Sequence, residues 1–349
     1  MKLNSFQFPD RQISDIPTSV PPSLFRFAQQ VGADTSELPR RLVVTGRHVV
    51  GETIDLPSGF TLELRGAHLV QAAGTFCNLF RADGAENVAI LGFPGADGAP
   101  ATLDGGEWNG LHEKNAGRDG RPPIWVNSLA LFTNVRGFRV EGVHCQNQRW
   151  WALTFIGCSD GSLRRLSFLA DHTSVTPEGE LLPCIRLDRY AEIRVKNADG
   201  IDIRAGCHDI AIEDVSGFTE DDTVAITCLP GALERTFLPE GTPLEIRDIA
   251  VRRVHAASCC SLVRLLAQGG GRVRRVRVED VLDTADGKTY MDGYTPRGVN
   301  LGDDHAYATP PAVPEDMADI TICDVRARSI ALLTRGAFTR LTAENIIST

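Results

Sequence analysis

Residues 197–227 read Asn-Ala-Asp-Gly-Ile-Asp-Ile-Arg-Ala-Gly-Cys-His-Asp-Ile-Ala-Ile-Glu-Asp-Val-Ser-Gly-Phe-Thr-Glu-Asp-Asp-Thr-Val-Ala-Ile-Thr. Two short segments of alternating apolar residues, Ile201–Ile203 and Val224–Ile226, each follow an acidic residue. Aligning Ile203 with Ile226, 23 residues apart, sets Asp199 opposite Asp222, with Asp221 just before it. That offset suits one coil of a parallel β-solenoid, in which equivalent positions stack about 4.8 Å apart. Three carboxylates would then share one patch. Like charges at that spacing repel, so at least one is expected to hold its proton near neutral pH. An Asp-Gly pair on its own is ordinary turn chemistry. Stacked on a second acidic pair it is not, because no structural need groups three carboxylates without cations.

The rest of the chain repeats the same grammar. Period-2 alternation marks Leu42–Val44, His48–Val50, Phe60–Leu64, Asn87–Gly92, Leu129–Phe132, Phe138–Val143, Trp151–Phe155 and Leu163–Phe168. One phrase recurs as Asp209-Ile-Ala-Ile-Glu-Asp-Val, Asp248-Ile-Ala-Val-Arg-Arg-Val, Arg275-Val-Arg-Val-Glu-Asp-Val and Asp319-Ile-Thr-Ile-Cys-Asp-Val. Its starts lie 39, 27 and 44 residues apart, and a looser copy begins at Arg340, 21 residues on. Irregular multiples of one coil, padded by loops, are the mark of a β-helix. A propeller would keep steadier periods, and a doubly wound α/β fold would need helices between its strands. The expectation is an all-β chain, a single-stranded right-handed parallel β-helix over 41–349, with polar loops at 93–125, 170–182 and 284–316 forming a cleft. Residues 1–40 form a lead-in or cap, with one short helix over Ser23–Gln30.

Bulk properties narrow the class. Hydrophobic content of 42% and charged content of 23% are those of a soluble protein, and 33 glycines suit a fold of many turns. No apolar run reaches the roughly 18–20 residues of a membrane span, and the first ten residues lack the apolar core of a signal peptide. A cytoplasmic location is expected. Nine cysteines, without a CxxC pair, read as reduced and mostly buried thiols. A net charge of −9 argues against nucleic acid as a partner. The partner expected is an oligosaccharide, with neither membrane nor nucleic acid. Self-association through an uncovered solenoid end stays open.

Residues from about 85 to 285 resemble the polygalacturonase-type enzymes, glycoside hydrolase family 28 of the pectin-lyase-like β-helix superfamily. Asn197-Ala-Asp-Gly-Ile-Asp-Ile is similar to that family's Asn-Thr-Asp-Gly motif, and Glu220-Asp221-Asp222 to its Gly-Asp-Asp, at a matching separation. Leu103-Asp104-Gly105-Gly106-Glu107-Trp108 is similar to its Ile-Asp-Gly-x-Gly-x-x-Trp segment. Arg121-Pro122-Pro123 and Gln146-Asn147-Gln148-Arg149-Trp150-Trp151 fall where the family has Arg-Pro and Asn-Ser-Pro-x-Trp. The resemblance implies hydrolysis of glycosidic bonds with inversion, Asp221 being the general acid while Asp199 and Asp222 hold and deprotonate the water. An inverting pair must straddle sugar and water, about 6.5–9.5 Å apart.

Two departures from the family bear on substrate. Its Gly-His-Gly falls near Cys259-Cys260-Ser261-Leu262, with Ser261 at the histidine. Its Arg-Ile-Lys falls near Arg297-Gly298-Val299-Asn300-Leu301-Gly302, with Asn300 and Gly302 in place of the two cations. In pectin-cutting members those cations hold a galacturonate carboxylate, so a substrate other than plain polygalacturonate is expected, with Arg264 and Arg297 as possible substitutes. Further candidate sugar contacts are Asn197, Trp108, Arg149, Trp150 and Arg204. Clustered aspartates also suit Ca²⁺, but the superfamily's calcium-dependent lyases use a different constellation, so neither metal nor cofactor is expected. Loops walling the cleft favour exo-acting cleavage of short chains. A β-helix lyase, a sugar epimerase and a catalytically silent carbohydrate-binding β-helix are the competing readings.

Overall fold

The computed structural model describes residues 19–106, 127–148, 151–170, 174–175, 181–182, 185–186, 199–230, 232–285, 291–292 and 296–349. Its two large sheets are parallel throughout. One sheet stacks nine strands: Ile54–Asp55, Phe80–Asp83, Ala130–Thr133, Leu153–Ile156, Ile201–Ile203, Val224–Cys228, Ser261–Ala267, Arg297–Leu301 and Ile330–Thr334. The other stacks twelve, opening with Arg41–Val50 and Thr61–Gln71 and closing with Met317–Ala327 and Thr339–Ser348. The chain passes from one sheet to the other and back in each turn. This is a right-handed parallel β-helix, the hand that parallel crossovers adopt.

The alternation seen in the sequence sets the core. Leu153, Ile201, Val224, Val263 and Val299 stack in one inward column, and Phe155, Ile203, Ile226, Leu265 and Leu301 in the next. All ten side chains are fully buried. Each contributes about 1.5–3 kcal/mol relative to exposure, so register is held coil by coil. A one-residue slip would turn both columns outward. The column between them faces away from the core and carries Thr154, Asp202, Ala225, Arg264 and Asn300.

The recurring phrase has a conformational cause. Its first and sixth residues, Asp209 and Asp214, Asp248 and Arg253, Arg275 and Asp280, Asp319 and Asp324, Arg340 and Asn345, all have φ between +50° and +60°. A single left-handed residue between extended neighbours turns the chain, so these positions are the corners of the long strands. Asp and Asn enter that region readily, whereas other residues do so at roughly 1–2 kcal/mol. The arginines at corners each bond the aspartate stacked beside them. Arg253 Nε donates to Asp214 at 2.5 Å, Arg275 Nε to Asp248 at 2.7 Å, and Arg340 Nε to Asp319 at 2.6 Å.

The helix Pro22–Gln30, close to the expected 23–30, covers the first coil. It buries Leu24, Phe27 and Ala28, and Phe27 meets Phe80 edge-on with centroids 6.3 Å apart. Among the described residues no helix is long and apolar enough to cross a membrane.

Candidate active site

Register brings the acidic residues together as the sequence alignment expects. Ile203 pairs with Ile226, and Ile226 with Leu265. Asp199 and Asp222, four residues before the first pair, therefore sit in adjoining coils. The Asp222 N–H donates to Asp199 Oδ1 at 2.9 Å, and the Gly200 N–H to the Asp222 carbonyl at 3.0 Å. Gly200 serves this close approach rather than a turn, because a Cβ there would lie 2.7 Å from the Thr223 carbonyl oxygen. The Asp221 carbonyl accepts from the Thr219 hydroxyl at 2.8 Å and the Ser258 hydroxyl at 2.7 Å. That Ser258 oxygen also accepts from the Cys260 N–H at 2.8 Å. One hydroxyl thus ties the Asp221 turn to the Cys260 turn of the next coil. The result is a cluster in which a carboxylate oxygen of Asp221, one of Asp222 and Cys260 Sγ all lie within 4.8 Å of one another.

The cluster is short of water. Asp199 is 8% exposed, Asp222 9% and Asp202 fully buried, while Asp221 is half-buried. Burial, then the charges of Asp202, Asp221 and Asp222, raise the Asp199 carboxyl well above the usual range. Burial pushes Asp221 up to about 6, with Asp222 adding to the rise and the Cys260 thiol and Arg264 opposing it. Burial also raises Asp222, against Arg264 and hydrogen bonds from Ser261 and Cys260. Asp202 is raised well above its usual range by burial, in spite of Arg204. Four carboxyls so placed titrate as one system and cannot all be charged near neutral pH. Asp222, with the most cationic help, is the one best able to ionise, while burial holds Asp199 and Asp202 toward their protonated forms.

Cations frame the acids. Arg264 lies in register between Ala225 and Asn300, pairs with Asp303 at 2.5 Å, and feels Asp222. Arg297 stands opposite Ser261 and draws Asp222 toward ionisation. Asn300 is buried, and its Oδ1 has no donor among the described residues. Arg204, expected to contact sugar, is instead buried against Glu234, Asp202, the Thr227 hydroxyl and the Trp151 ring, 4.6 Å below its guanidinium. It is held chiefly by Glu234 and Thr227 and reaches Asp202 at 3.4 Å. Trp151 packs with Leu131 and Ile156 in a small cluster apart from the main core. His208 bonds Asp209 on the twelve-stranded sheet, away from the acids. Asn197, Trp108, Arg149 and Trp150 lie outside the described residues.

Three groups of this site escape a reading of the sequence. Asp202 sits inside an alternating segment and passes as the outward residue of a strand. Cys260 counts among the buried thiols, yet it alone of the described cysteines keeps partial exposure. Ser261, expected among the sugar contacts, is instead fully buried, and with Cys260 it hydrogen-bonds Asp222. Asp303 follows Arg264 by 39 residues, too far for local pattern to pair them.

No model of a known protein family matches the chain, and no curated protein sequence does. Solved structures show a distant likeness to it. The hyperthermoactive exopolygalacturonase of Thermotoga maritima is 18% identical, over 87% of this chain and 84% of that one, with a TM-score of 0.41. The family 28 exopolygalacturonase of Yersinia enterocolitica is 14% identical, over 89% and 73%, with a TM-score of 0.44. The mannuronan C-5 epimerase AlgE4 A-module of Azotobacter vinelandii is 12% identical, over 93% and 90%, with a TM-score of 0.35. A likeness of this degree, spread over hydrolases and an epimerase, assigns no activity to this chain.

Proposed function

We propose that the chain is a glycoside hydrolase that cleaves an O-glycosidic bond of a short oligosaccharide, from one end. The observation that carries this reading is the grouping of Asp199, Asp221 and Asp222 from adjoining coils, with ionisation split between them by burial and by Arg264. Asp221, half-exposed and raised to about 6, donates its proton to the leaving oxygen. Asp222 takes a proton from the attacking water, and Asp199 orients that water. The C–O bond breaks as the new one forms at the anomeric carbon, and the two protons end on the leaving group and on Asp222. A donor poised near the working pH is what general acid catalysis asks for.

The nearest oxygens of Asp221 and Asp222 lie within 4.8 Å, below the span an inverting pair ordinarily keeps. The anomer released decides between inversion and retention. A lyase would need a basic side chain to take the proton, whereas the Asp221 cluster is built of carboxyls and a thiol. The substrate proposed is not plain polygalacturonate, since Asn300 stands where a cation would hold the carboxylate.

Release of reducing ends from neutral and acidic oligosaccharides tests the reading, comparing wild type with Asp199→Asn, Asp221→Asn and Asp222→Asn. Turnover in wild type, lost about 10²–10⁴-fold in Asp221→Asn, supports it. Equal turnover in all four proteins sinks it.

A further inference from the structure

The peptide that joins Asp221 to Asp222 carries a carboxyl of the site at each end, and both of its polar groups are held. At one edge the Asp221 carbonyl takes two hydroxyl donors, Thr219 Oγ1 at 2.8 Å and Ser258 Oγ at 2.7 Å. At the other edge the Asp222 N–H donates to Asp199 Oδ1 at 2.9 Å. A trans peptide is planar, with its C=O and N–H pointing in opposite directions, so both holds act on one rigid plane. Any rotation of that plane would move Asp221, Asp222 and the bond to Asp199 together.

The two hydroxyls occupy equivalent places in adjoining coils, since Thr219 pairs with Ser258 in the parallel register. Continued into the coils on either side, that register reaches Ala170 and Ala285, which pack with Phe218 and Ala257 in a small cluster. Hydroxyls thus stand between two alanines of one column, at the coils that carry the Asp221 and Cys260 turns. Thr219 is fully buried and Ser258 is 3% exposed, so water has little access to stand in for either. Each hydroxyl also has its single proton aimed. Ser258 Oγ accepts from the Cys260 N–H at 2.8 Å, and Thr219 Oγ1 lies 2.9 Å from the Thr223 hydroxyl. A carbonyl can only accept, so Thr219 gives its proton to Asp221 and takes one from Thr223. Two donors on the carbonyl polarise the peptide and strengthen its N–H as a donor to Asp199.

We propose that Thr219 and Ser258 are positioning residues of this site: by fixing the plane of the Asp221–Asp222 peptide they set where three carboxyls stand relative to one another. The proposal rests on the hydrolase reading above and adds to it what holds the acids in place. Both hydroxyls act through the backbone of Asp221, so their loss reaches the chemical step and leaves sugar binding alone. When one is lost, the carbonyl keeps the other donor. Its hold fails only when both are gone.

The test reads the peptide and the turnover separately. Asp-Asp occurs in the chain at 221–222 and 303–304 alone, so aspartate carrying ¹³C at its backbone carbonyl and ¹⁵N at its amide marks just two peptides for NMR. Asp304→Asn assigns the second. Thr219→Val, Ser258→Ala, their double variant and Thr219→Ser are compared with wild type once melting curves show each folded, and the single variants carry the test if the double one does not fold. The double variant moves the Asp221 carbonyl resonance and speeds exchange of the Asp222 amide about tenfold, the size of one hydrogen bond, while the 303–304 peptide stays put. Turnover is followed on whichever of xylohexaose, mannohexaose, galactotetraose and hexagalacturonic acid wild type cleaves best. Each single loss lowers kcat a few-fold and the double loss roughly 10²-fold, more than additively, with KM within about twofold. Thr219→Ser, which keeps the donor, holds kcat within about twofold of wild type. Resonances unmoved in the variants overturn the clamp and leave the hydrolase reading in place. Resonances that move while kcat holds overturn the positioning role alone. If wild type turns over none of the four sugars, the hydrolase reading falls, and the catalytic role of these hydroxyls with it.

Discussion

Replacing Asp221 by Asn is expected to stabilise the protein at neutral pH while removing its activity. The Asp221 carboxyl has an ordinary value of 3.8 and stands at about 6 in the fold, chiefly through burial and then through Asp222. A group raised on folding binds its proton more tightly in the folded state. Its charged form therefore opposes folding, fully above the folded value and not at all below the unfolded one. At about 1.4 kcal/mol per unit, a rise of roughly two units costs up to about 3 kcal/mol above pH 6. Asparagine keeps the shape and carries no charge. Thermal unfolding of wild type and Asp221→Asn, scanned from pH 3.5 to 8, should converge at the acid end. The variant should gain through pH 4–6 and hold a constant advantage above it. Differences in melting temperature that are flat with pH, or a variant less stable at pH 7.5, would show that this carboxyl is not under strain in the fold.

Other perturbations reach different links of the account. Gly200→Ala drives a Cβ to 2.7 Å from the Thr223 carbonyl; it should cost about 1–3 kcal/mol by overpacking and lower activity by parting Asp199 from Asp222, read from melting and turnover together. Arg204→Ala leaves Asp202 and Glu234 buried without their cation, and a loss of about 3–5 kcal/mol in denaturant titration is expected. Cys260 is the partly exposed thiol among the described cysteines and touches both Asp221 and Asp222. Alkylation by iodoacetamide, mapped by peptide mass, should label it before the other described thiols and block turnover, and Cys260→Ser should resist that inactivation. Activity should fall as pH rises through about 6, where Asp221 loses its proton.

The columns of the fold were legible because a solenoid repeats one local rule. Ile203, Ile226 and Leu265 can be aligned from sequence since each coil buries alternate residues at a fixed register, and the same alignment stacks Asp199 on Asp222. The Asp and Arg residues of the recurring phrase were visible as a repeat but not as corners, since a positive φ is a property of the folded turn. Arg204 is harder: its neutralising partner Glu234 lies 30 residues on, in a six-residue helix too short to show a period. Whether an arginine faces a cleft or fills a buried ion network depends on such a distant partner. Arg264 with Asp303 repeats the point. Asp202 and Cys260 are hidden in the sequence because a lone polar residue in a strand and a lone thiol have ordinary structural uses, and only proximity gives them another.

The most direct measurement follows the products of the best oligosaccharide in ¹⁸O-labelled water by mass spectrometry, with wild type and Asp221→Asn side by side. The account predicts products that together exceed the substrate by one water, a single ¹⁸O at the new reducing end, and its loss in the variant. An unsaturated product short of one water, or cleavage that survives in Asp221→Asn, would contradict it.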